Sequence, residues 1–123
     1  MQRLLTEHRD PNLRSYFIWG PYIQSDNETA ARASAERYVA PNAVHYWTPT
    51  PKLAADLASI LRLPEGRTAW DVFLLYPKGS LWDVNPPAPV YWQHQLEILQ
   101  GEPFDLTVFD AHIVEALSAP SPR

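Results

Sequence analysis

The segment over residues 70–95, WDVFLLYPKGSLWDVNPPAPVYWQHQ, constrains the fold more than any other part of the chain. It holds three of the five tryptophans, two tyrosines and four prolines. The apolar run over 69–76 predicts a strand that is buried on both faces, and 77–79 predicts a tight turn. Residues 80–84 are then expected to pair with that strand as a hairpin. A segment of this kind builds either an aromatic core or an exposed aromatic surface.

The length and composition of the chain favour one folded domain over residues 1–123. The 123 residues are 46% hydrophobic and 12% aromatic, which is typical of a globular protein. The termini, 1–12 and 118–123, are polar or proline-rich and are expected to be loose. No apolar run approaches the roughly 20 residues that span a bilayer, and the charged start lacks the apolar centre of a signal peptide. We therefore expect a cytoplasmic protein without a membrane span.

Composition also argues against several classes of function. The chain has no cysteine, which removes disulfides, thiol catalysis, iron–sulfur clusters and cysteine-based zinc sites. The net charge is −4 and the 10 basic residues do not cluster, so nucleic-acid binding is not expected. The four glycines lie far apart, and neither phosphate-binding glycine motif is present. No cofactor is expected.

Two strands and a helix are predicted in the first part of the chain. Residues 14–23 and 43–47 are rich in aromatic and β-branched side chains, which are typical of strands. Between them, Ser25 and Glu28 match a capping box, and this predicts a helix that runs to about residue 39.

Three further helices are predicted. Thr50 is a suitable N-cap and Pro51 a suitable first residue for an amphipathic helix. A second is expected over 89–100, where Trp92, Leu96 and Leu99 recur at helical spacing. The stretch 104–117 fits either a helix capped by Asp105 or a short strand, and the helix is favoured.

The resulting order is β-α-β-α-β-β-α plus a C-terminal helix. It predicts an α/β (or α+β) domain with one mixed sheet of about four strands. This order resembles the thioredoxin-like fold over residues 14–100. The redox cysteines of that family would fall at 24–28, which reads QSDNE, and its cis-proline would fall where Thr68 and Ala69 stand. The resemblance therefore implies a thioredoxin-like fold without redox chemistry, which would serve as a binding or scaffolding domain.

Three residues are candidates for acid–base chemistry. His45, within AVHYW, and His94 are candidate general bases, since histidine titrates near neutral pH. Asp71 is a carboxylate in an apolar strand, and burial would raise its pKa and suit it to act as an acid. A structural role outweighs catalysis for His45 and for Asp71.

Two H-x-x-E pairs are the candidates for a metal site: His94 with Glu97, and His112 with Glu115. Residues three apart share a helix face, so each pair would present an imidazole and a carboxylate together. Di-metal bundles use the reverse order, Glu-x-x-His, with further carboxylates in support. We therefore interpret both pairs as ordinary surface residues of helices and expect no metal.

The aromatic and proline-rich residues over 82–92 form the candidate binding surface. Aromatic side chains dominate protein interfaces, and a proline-stiffened loop loses little entropy on binding. The residues concerned are Trp82, Pro86, Pro87, Tyr91 and Trp92. An interface role and a core role are equally weighted for the two tryptophans.

From these patterns we expect a non-catalytic accessory or protein-binding domain whose partner is another protein or a second copy of the chain. One alternative is a small cysteine-free hydrolase or isomerase with a His/Asp acid–base pair. The other is a small-ligand binder whose aromatic pocket opens at the ends of the parallel strands.

Overall fold

A computed structural model describes residues 1–120 of the chain. The chain consists of two compact units, Met1–Pro51 and one that begins at Lys52. Each unit contains helices and strands, which confirms the mixed α/β class. The expectation of a single domain stays a prediction.

The first unit is a helix followed by a strand–helix–strand motif. Its elements are α1 (Gln2–Glu7), β1 (Ser15–Trp19), α2 (Glu28–Ala35) and β2 (Ala43–Trp47). The two strands pair in parallel, with Ser15 opposite Ala43 and Trp19 opposite Trp47. Parallel neighbours need a crossover, and α2 supplies it. The second strand has the predicted bounds, whereas the first covers only part of the predicted range 14–23 and ends at Trp19.

The prediction of a loose N-terminus over residues 1–12 is wrong for its first part. Helix α1 buries Leu4 and Leu5, each 4% exposed. The side-chain amide of Gln2 donates to the carbonyl of Val39 and accepts from its N–H, at 3.1 and 3.0 Å. The burial of Leu4 and Leu5 and this amide contact stabilise the helix. The prediction considered only the polar character of residues 1–12 and therefore missed it.

Helix α2 begins later than the predicted capping box would place it. Its N-cap is Asn27, whose side chain accepts from the N–H of Ala30 at 2.8 Å. Ser25 instead lies in a turn before the helix. Asparagine and serine cap helices about equally well, so local preference did not distinguish between them.

The second unit contains two helices and a mixed three-stranded sheet. Its elements are α3 (Lys52–Ile60), β3 (Val72–Leu75), β4 (Tyr91–His94), β5 (Glu102–Pro103) and α4 (Leu106–Ser118). The strand order is β3-β4-β5, with the first pair antiparallel and the second parallel. The described strands therefore form two small sheets rather than the predicted one. For this reason the thioredoxin-like arrangement and its element order are not confirmed.

Two predictions in the aromatic segment are wrong. Residues 80–84 form no strand, and β4 pairs with β3 in their place, with Tyr91 opposite Leu75. The helix predicted over 89–100 is replaced by β4 and irregular backbone. Leu99, predicted to share a helix face with Trp92 and Leu96, is 98% exposed, whereas Leu96 is buried. Pairing with β3 and the strand preference of aromatic residues override the helical spacing here.

The C-terminal helix confirms the favoured interpretation of 104–117. The carboxylate of Asp105 accepts from the N–H groups of Thr107 and Val108 at 2.9 and 3.0 Å and starts α4 as its N-cap. Within the predicted loose end 118–123, Ser118 still belongs to α4, and 121–123 lie outside the described residues.

The core of the second unit forms around α3. Leu57, Leu61 and Ala69 are buried together, and Val72 and Trp92 pack against them. Within the part of the chain that the structure describes, every helix is too short or too polar to cross a bilayer.

Candidate functional site

The candidate site is a cleft in the first unit, where the parallel strands β1 and β2 end beside the start of α2. It is open to solvent and has a cavity volume of about 90 Å³. Its walls include Trp19, Asp26, Asn27, Ala30, Ser34 and Trp47. The two tryptophans are the last residues of the two strands. The crossover topology therefore brings two indole rings and a helix N-terminus to one edge of the sheet.

Asp26 is the ionisable side chain of this cleft. Its Oδ2 accepts from the backbone N–H groups of Tyr22 and Ile23, each at 2.8 Å. The pKa of the Tyr22 hydroxyl is raised, first by burial and then by the negative charge of Asp26. Among the described hydrogen bonds none involves Oδ1. The carboxylate is thus held in place by one oxygen, while the other can accept a hydrogen bond.

Trp19 is held by a chain of hydrogen bonds. Its Nε1–H donates to Nδ1 of His45 at 3.1 Å, and Nε2 of His45 lies 2.8 Å from the carbonyl oxygen of Tyr38. Since Nδ1 accepts, the ring proton belongs on Nε2, which donates to Tyr38. The imidazole also stacks on Phe17, with ring centroids 4.6 Å apart. These contacts occupy both ring nitrogens of His45, so its geometry suits orientation of Trp19 rather than proton abstraction.

The sequence interpretation placed an aromatic pocket at the ends of parallel strands but did not name the residues of this cleft. Each predicted strand contains a tryptophan, Trp19 or Trp47, and pairing the two strands in parallel would have placed both at one edge. Asp26 had no comparable signal, because its role depends on a turn that the predicted capping box would have absorbed into the helix.

The predicted acid–base residues of the second unit are not joined to one another. His94 is 2% exposed, its Nδ1 accepts from the N–H of Leu96 at 3.1 Å, and its Nε2 has no hydrogen-bond partner in the described part of the chain. Burial raises the pKa of Asp71, which has a positive φ of 57°. With the amide nitrogen of Gln95 turned towards it, the Asp71 carboxylate accepts at 3.0 and 3.3 Å. Asp71 is thus paired with an amide and not with His94.

The two H-x-x-E pairs differ from each other in structure. His94 lies in β4, and Glu97 follows in irregular backbone with a φ of 52°, so the premise of a shared helix face is wrong for this pair. His112 and Glu115 do share a face of α4, with Nδ1 and Oε2 3.7 Å apart. In residues 1–120, no group of three or more His, Cys, Asp or Glu side chains is placed to hold a metal ion.

The ring of His112 is committed to another contact. It stacks on Tyr91 with centroids 3.6 Å apart. The Tyr91 hydroxyl donates to Glu102 at 2.6 Å and accepts from the fully buried amide of Gln93 at 2.8 Å. Tyr91, a predicted partner-binding residue, therefore has a structural role in joining β4 to β5 and α4.

The other predicted partner-binding residues divide into an exposed and an inner group. Trp82 is 42% exposed and meets the ring of Tyr76 edge-on at 5.6 Å. The Tyr76 hydroxyl donates to the carbonyl of Pro87 at 3.1 Å, and burial raises its pKa to about 12. Pro86 is buried, and Trp92 packs against the core around α3. The predicted surface is thus available at Trp82 but largely covered at Trp92.

Comparisons of the chain with protein-family models, with curated proteins and with solved structures found no significant match. The function is therefore inferred from the chemistry and geometry of the described residues.

Proposed function

We propose that the protein binds a small ligand in the cleft between the ends of β1 and β2 and the start of α2. The proposal is carried by the convergence of Trp19, Trp47 and Asp26 on one cleft at the carboxyl edge of a parallel strand pair. In open α/β sheets, ligands bind at this edge. Aromatic walls with few polar groups are typical of small-ligand sites.

The supports of this cleft favour binding over catalysis. The hydrogen bonds from Trp19 through His45 to Tyr38 hold one wall in place before a ligand arrives, which lowers the entropy lost on binding. Ser34 lines the cleft, but both nitrogens of His45 are engaged elsewhere. A nucleophile with an adjacent base is the usual signature of covalent catalysis. The expectation of a non-catalytic protein is therefore kept.

Filling the cleft should weaken ligand binding. Ala30 lines the cleft and is exposed, so Ala30→Leu places a larger side chain in the ligand's space with little strain on α2. We expect phenol, benzylamine, benzoate or glucose, tested separately by NMR, to shift resonances of Trp19 and Trp47. These shifts should fall at least about fivefold in the variant, a change expected when the binding space is lost.

The matched control is Ala33→Leu, the same substitution at an exposed position of α2 outside the cleft walls. It should leave the ligand-induced shifts unchanged. Shifts that persist in Ala30→Leu, or that no probe produces in the unaltered protein, would contradict the proposed site.

A second candidate function is self-association through the loop over residues 77–90. Leu81 and Val84 are 84% and 83% exposed, beside the half-exposed Trp82. Tyr76 holds this loop through Trp82 and Pro87, so the apolar side chains are presented on an ordered segment. A two-fold interface uses the same surface patch on both copies, and the exposed apolar loop could serve as that patch. A cytoplasmic location would accord with either function and stays a prediction.

Polar substitution of the loop should separate the copies. If the loop is an interface, light scattering should show a dimer for the unaltered protein and a monomer for Leu81→Ser combined with Val84→Ser. The exposed sites predict a change in stability within about 0.5 kcal/mol each, so loss of the dimer would not reflect unfolding. A monomeric unaltered protein at high concentration would refute self-association.

A further inference from the structure

The charged side chain that lines the cleft is acidic. This residue is Asp26, and Glu28 opens α2 two residues later. Arg32, the basic residue of α2, donates to Glu28 at 2.9 Å and does not line the cleft. An anion entering the cleft would meet the carboxylate of Asp26, whose charge opposes the attraction of the helix N-terminus. Glu28 lies outside the lining residues and is paired with Arg32.

The aromatic walls of the cleft also favour a cation over an anion. The faces of indole rings carry negative potential and attract ammonium groups, and tryptophan is the strongest of the aromatic residues in this respect. Trp19 and Trp47 supply two such rings, and Asp26 supplies a carboxylate whose Oδ1 takes part in none of the described hydrogen bonds. An ammonium group would meet both kinds of partner within one small cleft.

We infer that the ligand is a small organic cation, with an ammonium group that contacts Asp26 and an apolar body that packs against Trp19 and Trp47. This inference rests on the proposed function, since it names the ligand class of the same cleft. The limited volume of the cleft, about 90 Å³, restricts the ligand to a small amine.

Three probes with one apolar body and different charges test this inference: tert-butylammonium, tert-butanol and pivalate. Each is titrated into the unaltered protein, and the dissociation constant is obtained from the NMR shifts of the indole N–H groups of Trp19 and Trp47. We expect tert-butylammonium to bind about tenfold more tightly than tert-butanol, with pivalate the weakest.

The variant Asp26→Asn separates charge from shape. The amide oxygen of asparagine can still accept from Tyr22 and Ile23, so the turn is retained while the charge is lost. Affinity for tert-butylammonium should fall about threefold or more, and affinity for tert-butanol should not change. Glu36→Gln removes an acidic residue just after α2, outside the cleft walls, and should leave both affinities unaltered.

The outcomes distinguish the two proposals. If tert-butanol or pivalate binds in the cleft at least as tightly as tert-butylammonium, the cationic ligand class is overturned and the small-ligand function stands. If none of the three probes shifts Trp19 or Trp47 while phenol or glucose does, the cationic class is likewise overturned. If no probe of either set produces a shift, both proposals fail.

Discussion

Replacing Gly101 by alanine is expected to lower the free energy of unfolding by about 2–5 kcal/mol. Gly101 has a φ of 71°, where an L-residue costs about 1–2 kcal/mol. A Cβ atom there would also lie 2.5 Å from Cη2 and 2.6 Å from Cζ2 of Trp92. Trp92 packs against the core cluster of Leu57, Leu61 and Ala69, so its ring cannot move away freely. Overpacking of this kind costs about 1–3 kcal/mol.

Gly66 and Gly79 provide matched controls for the effect of the backbone alone. Their φ values are 79° and 86°, and a Cβ atom at either position would meet no heavy atom within 4 Å. Gly66→Ala and Gly79→Ala should therefore show only the backbone cost of about 1–2 kcal/mol. Urea denaturation of the three variants measures the difference. Equal losses in all three would mean that Trp92 does not pack against Gly101.

Truncation of Leu57 to alanine should lower the free energy of unfolding by about 2–5 kcal/mol. Leu57 is 5% exposed and lies in the core with Leu61 and Ala69. Removing its side chain leaves a cavity beside the strand residues Val72 and Trp92, which pack against this core. The loss of stability rises with the volume of the cavity that remains. The loss should appear as a lower urea midpoint with little change in slope.

Leu99→Ala is the control for this truncation. Leu99 is 98% exposed, so Leu99→Ala makes the same chemical change outside the core. Its effect should stay within about 0.5 kcal/mol. A similarly small loss for Leu57→Ala would show that the core around α3 is not packed as described.

The candidate site was predictable in its setting but not in its residues. The crossover from β1 through α2 to β2 follows from strand and helix patterns within about thirty residues, a typical size for this motif. The role of Asp26 was not predictable from the sequence. The pattern Ser25-x-x-Glu28 matches a capping box, which would place Asp26 inside the helix rather than in a turn before it. In the folded protein, the backbone N–H groups of Tyr22 and Ile23 donate to Asp26, and these hydrogen bonds stabilise the turn instead of the capping box.

The sequence by itself determined the elements whose signals are local. The strand over 43–47 follows from its aromatic and β-branched residues, and α4 follows from the Asp105 cap together with helical apolar spacing. Tertiary structure alone decided the conformation of residues 91–94. The spacing of Trp92, Leu96 and Leu99 is compatible with a helix, but hydrogen bonds to β3 stabilise an extended strand. Short apolar segments satisfy both periodicities, and burial and strand pairing with distant residues then select one of them.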